Sequence, residues 1–191
     1  NQNLLEDNDL ERISNREDTA EVAMQLFEHE PQTIDLVYQL SEFLCSPDRR
    51  ELSKALMGRT NSDSNRAMAL EILAEGLQGD ASPDEQKRIE HSMQTRDEYL
   101  RLSAIRCATR SGVPELVRAV LDLIRSTGLP LAKTVAKRLA ADAEYLPPET
   151  LETMQKVQQY VRKKRSRDQH KDWISAESHL NQALARLVHA E

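Results

Sequence analysis

Arg162-Lys163-Lys164-Arg165-Ser166-Arg167 sets five positive charges in six residues. A run of this kind has three uses. It complements the negative end of a helix dipole, it meets an acidic protein surface, or it contacts a few phosphates with salt-sensitive affinity. Arg106, Arg110 and Arg118 are spaced to carry positive charge across adjacent helices. These eight residues are the candidate partner-binding set, and the expected partner is another protein with an acidic patch. Nucleic acid is the alternative. The net charge of −6 opposes it, and no helix-turn-helix, zinc-finger or RNA-binding sheet signature supports it.

Other reactive residue types do not assemble into a motif. The histidines His29, His91, His170, His179 and His189 all stand beside polar or charged residues. Glu71 and Glu75 share a helix face, a spacing that more often makes a solvated stripe than an acid–base couple. Glu90 and His91 are sequence neighbours and point different ways on a helix. Cys45 and Cys107 lie inside apolar helical patterns, so both are expected to be buried, reduced thiols. No His-Glu-x-x-His, Cys-x-x-Cys or EF-hand loop is present, so the usual metal spacings are missing. Gly-x-x-x-x-Gly-Lys, Gly-x-Gly-x-x-Gly and Gly-x-Ser-x-Gly are missing too, which removes the common nucleotide cradles and the serine-nucleophile elbow. The expectation is a protein without catalytic residues, cofactor or metal. Seven aromatic residues in 191 argue against a β-sandwich and against a stacking platform for single-stranded nucleic acid.

The elements that carry these residues are marked by proline and glycine. Pro31, Pro47, Pro83, Pro114, Pro130 and Pro148 each suit a first helical turn. Ser46 and Ser82 add an N-cap hydroxyl. Ser82-Pro83-Asp84-Glu85 and Thr95-Arg96-Asp97-Glu98 read as capping boxes. Gly58, Gly79, Gly112 and Gly128 read as stops or interhelix turns. Between these marks the apolar spacing is helical. Ile34, Val37, Leu40 and Leu44 form one stripe, and Ala67, Leu70, Leu73 and Leu77 another. Leu102, Ile105 and Ala108 follow, then Leu116, Val117, Val120, Leu121 and Ile124, a helix that Leu123 makes look buried on two sides. Val135, Ala136, Leu139 and Ala143 come next, then Leu151, Met154, Val157 and Val161. The last stripe is Trp173, Ala176, Leu180, Leu184 and Leu187, with the one tryptophan anchoring its helix. No strand is predicted. The chain is expected to be all-α, with nine or ten helices built as stacked antiparallel pairs or as an irregular bundle.

Helix starts recur so that two helices take about 32 to 36 residues, a period that suggests a solenoid. Arg66-x-x-Ala69 recurs as Arg101-x-x-Ala104 and Lys137-x-x-Ala140. Asp97 through Ala108, followed by Val113-Pro114-Glu115-Leu116-Val117, resembles a HEAT-type repeat, with its second helix running into the first helix of the next repeat. Asp97, Arg101, Ala104 and Pro114 occupy the matching places, and the resemblance spans about residues 60–145. Repeat length varies, and Tyr99-Leu100 stands where the family has an aliphatic pair. The resemblance implies a HEAT-like α-solenoid with an extended binding surface.

Charge is divided along the chain. Residues 1–98 hold 22 acidic and 10 basic residues, net −12; residues 99–191 hold 10 and 16, net +6. The halves can attract each other in the fold, join copies of the chain by self-association, or offer a field to a partner. The domain reading is a polar, loosely ordered segment 1–18, a helical-repeat domain 19–165 and a C-terminal helix 166–191 packed on the body. The functional expectation is a non-enzymatic interaction module: an adaptor, regulator or assembly factor. The alternatives are a nucleic-acid-binding module using the basic half, and a secreted effector or enzyme whose site the sequence does not display. No run of about 18 apolar residues exists, so no membrane partner is expected. The expected location is cytoplasmic, with room for a removed leader before Asn1.

Overall fold

The computed structural model describes residues 19–29 and 33–189. The expectations for residues 1–18 and for Pro31 lie outside the described residues. Among these there are ten α-helices, two short 3-10 turns and no strand. The helices are α1 (Thr19–His29), α2 (Ile34–Ser41), α3 (Ser46–Arg59), α4 (Asp63–Gly76), α5 (Pro83–Met93), α6 (Glu98–Arg110), α7 (Pro114–Ser126), α8 (Leu129–Ala141), α9 (Leu151–Arg167) and α10 (Lys171–His189).

The chain divides into two compact units. One holds the described residues up to Leu77 together with Arg96–Ser103. There α1 and α2 form a hairpin, α3 and α4 form a second, and α1 lies on α3 while α2 lies on α4. Val37, Leu40, Leu52, Leu56 and Ile72 interdigitate where the hairpins meet. Arg49 ties their ends. Its guanidinium donates to the carbonyls of Ser41 at 2.8 Å, Glu42 at 2.7 Å and Glu75 at 3.2 Å. One side chain thus reaches carbonyls at the ends of two helices, where intrahelical partners run out; the Ser41 carbonyl also accepts the Leu44 N–H at 3.1 Å. Gly76 ends α4 against this arginine. A Cβ there would stand 3.0 Å from the Ser46 carbonyl oxygen and 3.2 Å from Arg49 Cβ, so this glycine serves close approach rather than a turn.

The second unit holds Gln78–Thr95 and the chain from Ala104 onward. Here α7 and α8 pair, α9 and α10 pair, and α7 lies on α9 while α8 lies on α10. Val117, Val120, Leu121, Val135, Leu139, Val157, Val161, Ala176 and Leu180 are all fully buried. The stacking order is the same in each unit, because each helix hides one apolar stripe and short connections force the next helix to turn back. Helix α6 contributes its first turns to one unit and its last to the other.

The stripes fall largely where the sequence places them, with instructive exceptions. In α7 Leu116, Val117, Val120, Leu121 and Ile124 are buried while Glu115, Asp122 and Arg125 are exposed. The helix is buried on one side, not two, and Leu123 is only half-buried. In α10 Ala183 takes the fully buried place and Leu184 is half-buried. Asp97, not Thr95, caps α6: its carboxylate accepts the Leu100 N–H at 2.7 Å. Cys45 rather than Ser46 precedes α3, which puts Pro47 in the second helical position. That place leaves Cys45 exposed, against the expectation of two buried thiols, while Cys107 is fully buried. Gly58 lies inside α3 and is not a stop, while Gly128 lies in the connection between α7 and α8, as an interhelix position in extended backbone. Gly79 and Gly112 do adopt positive φ, +84° and +69°. Arg66 and Arg101 both occupy the fourth position of their helices, whereas Lys137 is more than a turn further into α8. The third match of the short internal pattern therefore does not hold in register.

Candidate functional site: the basic end of α9

Helix α9 packs Met154, Val157 and Val161 inward and leaves Arg162 through Arg167 exposed. The run occupies the last turns of the helix, where cations meet the negative end of its dipole. Helical geometry sorts the five charges onto different faces. Arg162 and Arg165 turn toward α10. Arg162 Nε donates to Glu177 Oε1 at 3.1 Å, and an Arg165 terminal nitrogen donates to Glu177 Oε2 at 2.7 Å. The carboxylate is 5% exposed, while the two arginine side chains are 66% and 50% exposed. Two solvated guanidiniums thus hold one buried carboxylate, and the hydrogen bond from Arg165 contributes most to keeping its pKa below the ordinary value for Glu.

Lys164 turns the other way, its ammonium 5.5 Å from the centre of the Tyr160 ring. Tyr160 in turn meets Trp173 edge to face, with ring centres 6.4 Å apart at 82°. The edge of one ring against the face of the other is the arrangement aromatic quadrupoles prefer. Trp173 is buried, as the sequence suggests, and fixes the start of α10 beside the basic turn. Lys163 and Arg167 extend into solvent with no carboxylate partner among the described residues. Between the helix ends lies an open cleft of about 570 Å³ lined by Arg162, Arg165, Ser166, Gln169, Ile174 and Glu177. Ile174 stands out as an apolar side chain 46% exposed.

The three outlying arginines do not extend this surface. Arg118 makes an exposed pair with Glu115 one turn away, at 3.3 Å. Arg110 lies over the Tyr145 ring, its guanidinium carbon 4.7 Å from the ring centre. Arg106 and Arg110 are half-buried and, with Arg138, place positive charge around Asp142. That carboxyl is 7% exposed and 2.6 Å from the Thr109 hydroxyl. Burial pushes its pKa up, against the hydroxyl and the arginine charges, which pull it down. The set of eight therefore splits into the basic end of α9, an internal charge cluster around Asp142, and a solvated pair on α7.

Sequence reasoning missed Glu177, Ile174 and Asp142. A signal for Glu177 was present. It falls between Trp173 and Leu180 at helical spacing, an acidic residue on an apolar stripe. Among the described residues no three His, Cys, Asp or Glu side chains come together as a metal cage. No described helix is long and apolar enough to cross a membrane. No known family, curated protein or solved structure gives a match to this chain.

Proposed function

We propose that this protein is a non-enzymatic interaction module that binds an acidic surface of another protein through the basic end of α9. The observation that supports this reading is the state of Lys163 and Arg167. They project from a helix anchored by Trp173 and Glu177, and no described carboxylate neutralises them. Uncompensated cations on a helix end steer an acidic partner toward this face and raise the encounter rate in a salt-dependent way. Stacked helix hairpins of the HEAT-like kind would present such a face without a reaction centre. In this reading the protein serves as an adaptor, regulator or assembly factor.

The test is affinity capture from native lysate, with and without nuclease, using the wild type and a Lys163→Glu, Lys164→Glu, Arg167→Glu variant. None of the three holds Glu177; circular dichroism of the variant registers any fraying of the last turn, where the new carboxylates oppose the helix dipole. A discrete protein partner that survives nuclease and falls at least about tenfold in the variant is the expected result. Bound material that vanishes with nuclease would put nucleic acid in its place. Equal capture by both proteins would leave the run as a solvated helix end.

A further inference from the structure

We propose that the cleft between the end of α9 and the start of α10 receives an Asp or Glu side chain of a partner protein, with a neighbouring aliphatic side chain covering Ile174. This rests on the interaction reading above and names the chemistry of the segment that docks.

Glu177 shows what the cleft holds. A guanidinium presents five N–H groups in a planar fork that matches a carboxylate. Glu177 engages Arg162 through Nε and Arg165 through one terminal nitrogen. Both arginines line the cleft, and side-chain exposures of 66% and 50% leave donor capacity beyond the two N–H groups that Glu177 engages. The buried carboxylate holds both guanidiniums in place before any partner arrives. Less side-chain entropy is then lost on binding. A second carboxylate meeting the outer edges would complete the same charge-assisted pattern that Glu177 begins.

The other lining groups narrow the choice. The nearby Asp172 is already engaged, 2.9 Å from the Lys133 ammonium, so it does not fill the cleft. Gln169 supplies a polar rim, and Ile174 supplies apolar area. A cleft of about 570 Å³ accommodates a few side chains of an extended or helical segment, not a folded surface. Lys163 and Arg167, exposed on the same last turns of α9, attract further acidic residues of the partner. A nucleic-acid backbone suits the cleft less well. It brings no aliphatic group to Ile174, and the half-buried ring nearby, Tyr160, has Lys164 over it and Trp173 against it, so it offers no open platform for base stacking.

The experiment uses the full chain and a short fluorescently labelled Glu/Leu peptide, read by anisotropy. A Glu/Ser peptide and labelled oligo-dT are run in parallel. Saturable binding of Glu/Leu is expected, about tenfold weaker with Arg162→Gln, the equivalent of one charge-assisted hydrogen bond. Ile174→Ser is expected to reduce Glu/Leu affinity about fivefold and to leave Glu/Ser unchanged. Both positions are exposed, and thermal unfolding confirms that each variant is folded. Absence of saturable Glu/Leu binding, wild-type affinity in both variants, or tighter binding of oligo-dT would overturn the proposal. If the two cleft variants bind the peptide normally while the Lys163, Lys164, Arg167 variant loses its captured partner, the cleft assignment fails and the interaction reading stands. If capture is also unchanged, both fail.

Discussion

Gly112→Ala is expected to lower stability by about 3–4 kcal/mol, the largest effect of an added methyl at any of the five glycines. Gly112 has φ +69°, which costs a side chain about 1 kcal/mol. Its Cβ would also fall 2.0 Å from the Gly79 carbonyl oxygen, with the Gly79 carbonyl carbon at 2.4 Å. Backbone cannot rotate away as a side chain can. The two segments must separate, and that strains the bonds that join them: Gly79 N–H to the Arg110 carbonyl and Ala81 N–H to the Ser111 carbonyl, each 3.0 Å. Each contributes about 1 kcal/mol. At this chain length the change corresponds to a fall in Tm of about 10 °C. Gly79→Ala provides the comparison. It has φ +84° but its nearest neighbour is 4.0 Å from the added Cβ, so only the backbone term of about 1 kcal/mol applies. Gly58→Ala runs in the opposite direction. It lies inside α3 with nothing within 4 Å of the new methyl, and a gain of about 0.5–1 kcal/mol follows from helix propensity. Thermal unfolding followed by circular dichroism measures all three. Equal effects at Gly79 and Gly112 would show that the close approach carries no energy.

Glu177→Gln and Asp142→Asn should change the pH dependence of stability in opposite senses. Glu177 has a native pKa below its ordinary 4.5, chiefly through the hydrogen bond from Arg165. Its stabilisation is complete above the ordinary value and is lost as pH falls through the depressed native one. Glu177→Gln replaces two charge-assisted bonds with an amide that has one acceptor, at a cost of about 2–3 kcal/mol near neutral pH. The variant also loses this part of the acid sensitivity, so the two proteins converge in acid. Asp142 has the reverse sign. Burial raises its native pKa above the ordinary 3.8. Its carboxyl favours the folded state at low pH, and that contribution is lost as pH rises through the raised native value. Asp142→Asn should therefore raise stability at neutral pH, where the buried charge no longer has to form, and Thr109 retains an acceptor. Urea unfolding at a series of pH values gives both slopes. A loss of stability at neutral pH in Asp142→Asn would show that the charges of Arg106, Arg110 and Arg138 outweigh desolvation.

The architecture was legible in the sequence where the information is local. Buried stripes such as Leu70 and Leu73, or Val157 and Val161, follow from a 3.6-residue period that every turn reports again. The Ser82 capping box was legible for the same reason: its partner is three residues away, and the Ser82 N–H donates to Glu85 Oε2 at 2.7 Å. Competition between neighbours was not legible. Thr95 and Asp97 can each cap a helix, and the choice depends on where α6 begins. Cys45 sits in an apolar pattern but falls on the residue just before a helix, which turns it outward. The long-range pairs were beyond local reasoning. Glu177 lies 12 and 15 residues from its arginines, and Thr109 lies 33 from Asp142. Charge counting found the basic run, but only the packing of α10 on α9 divides it into cations that hold a carboxylate and cations that meet solvent.

The two cysteines give the molecule a pair of internal clocks. Cys45 is exposed in one unit, its thiol donating to Asp48 at 3.0 Å, and Cys107 is wholly enclosed in the other. A small alkylating reagent meets the first at the rate of ordinary surface chemistry. It reaches the second only during excursions that open α6, so the ratio of the two rates rises and falls with the population of the opened state. Without any engineered label, the chain therefore reports how often its second unit breathes, and the same ratio taken in the presence of a partner would reveal whether binding quiets that motion.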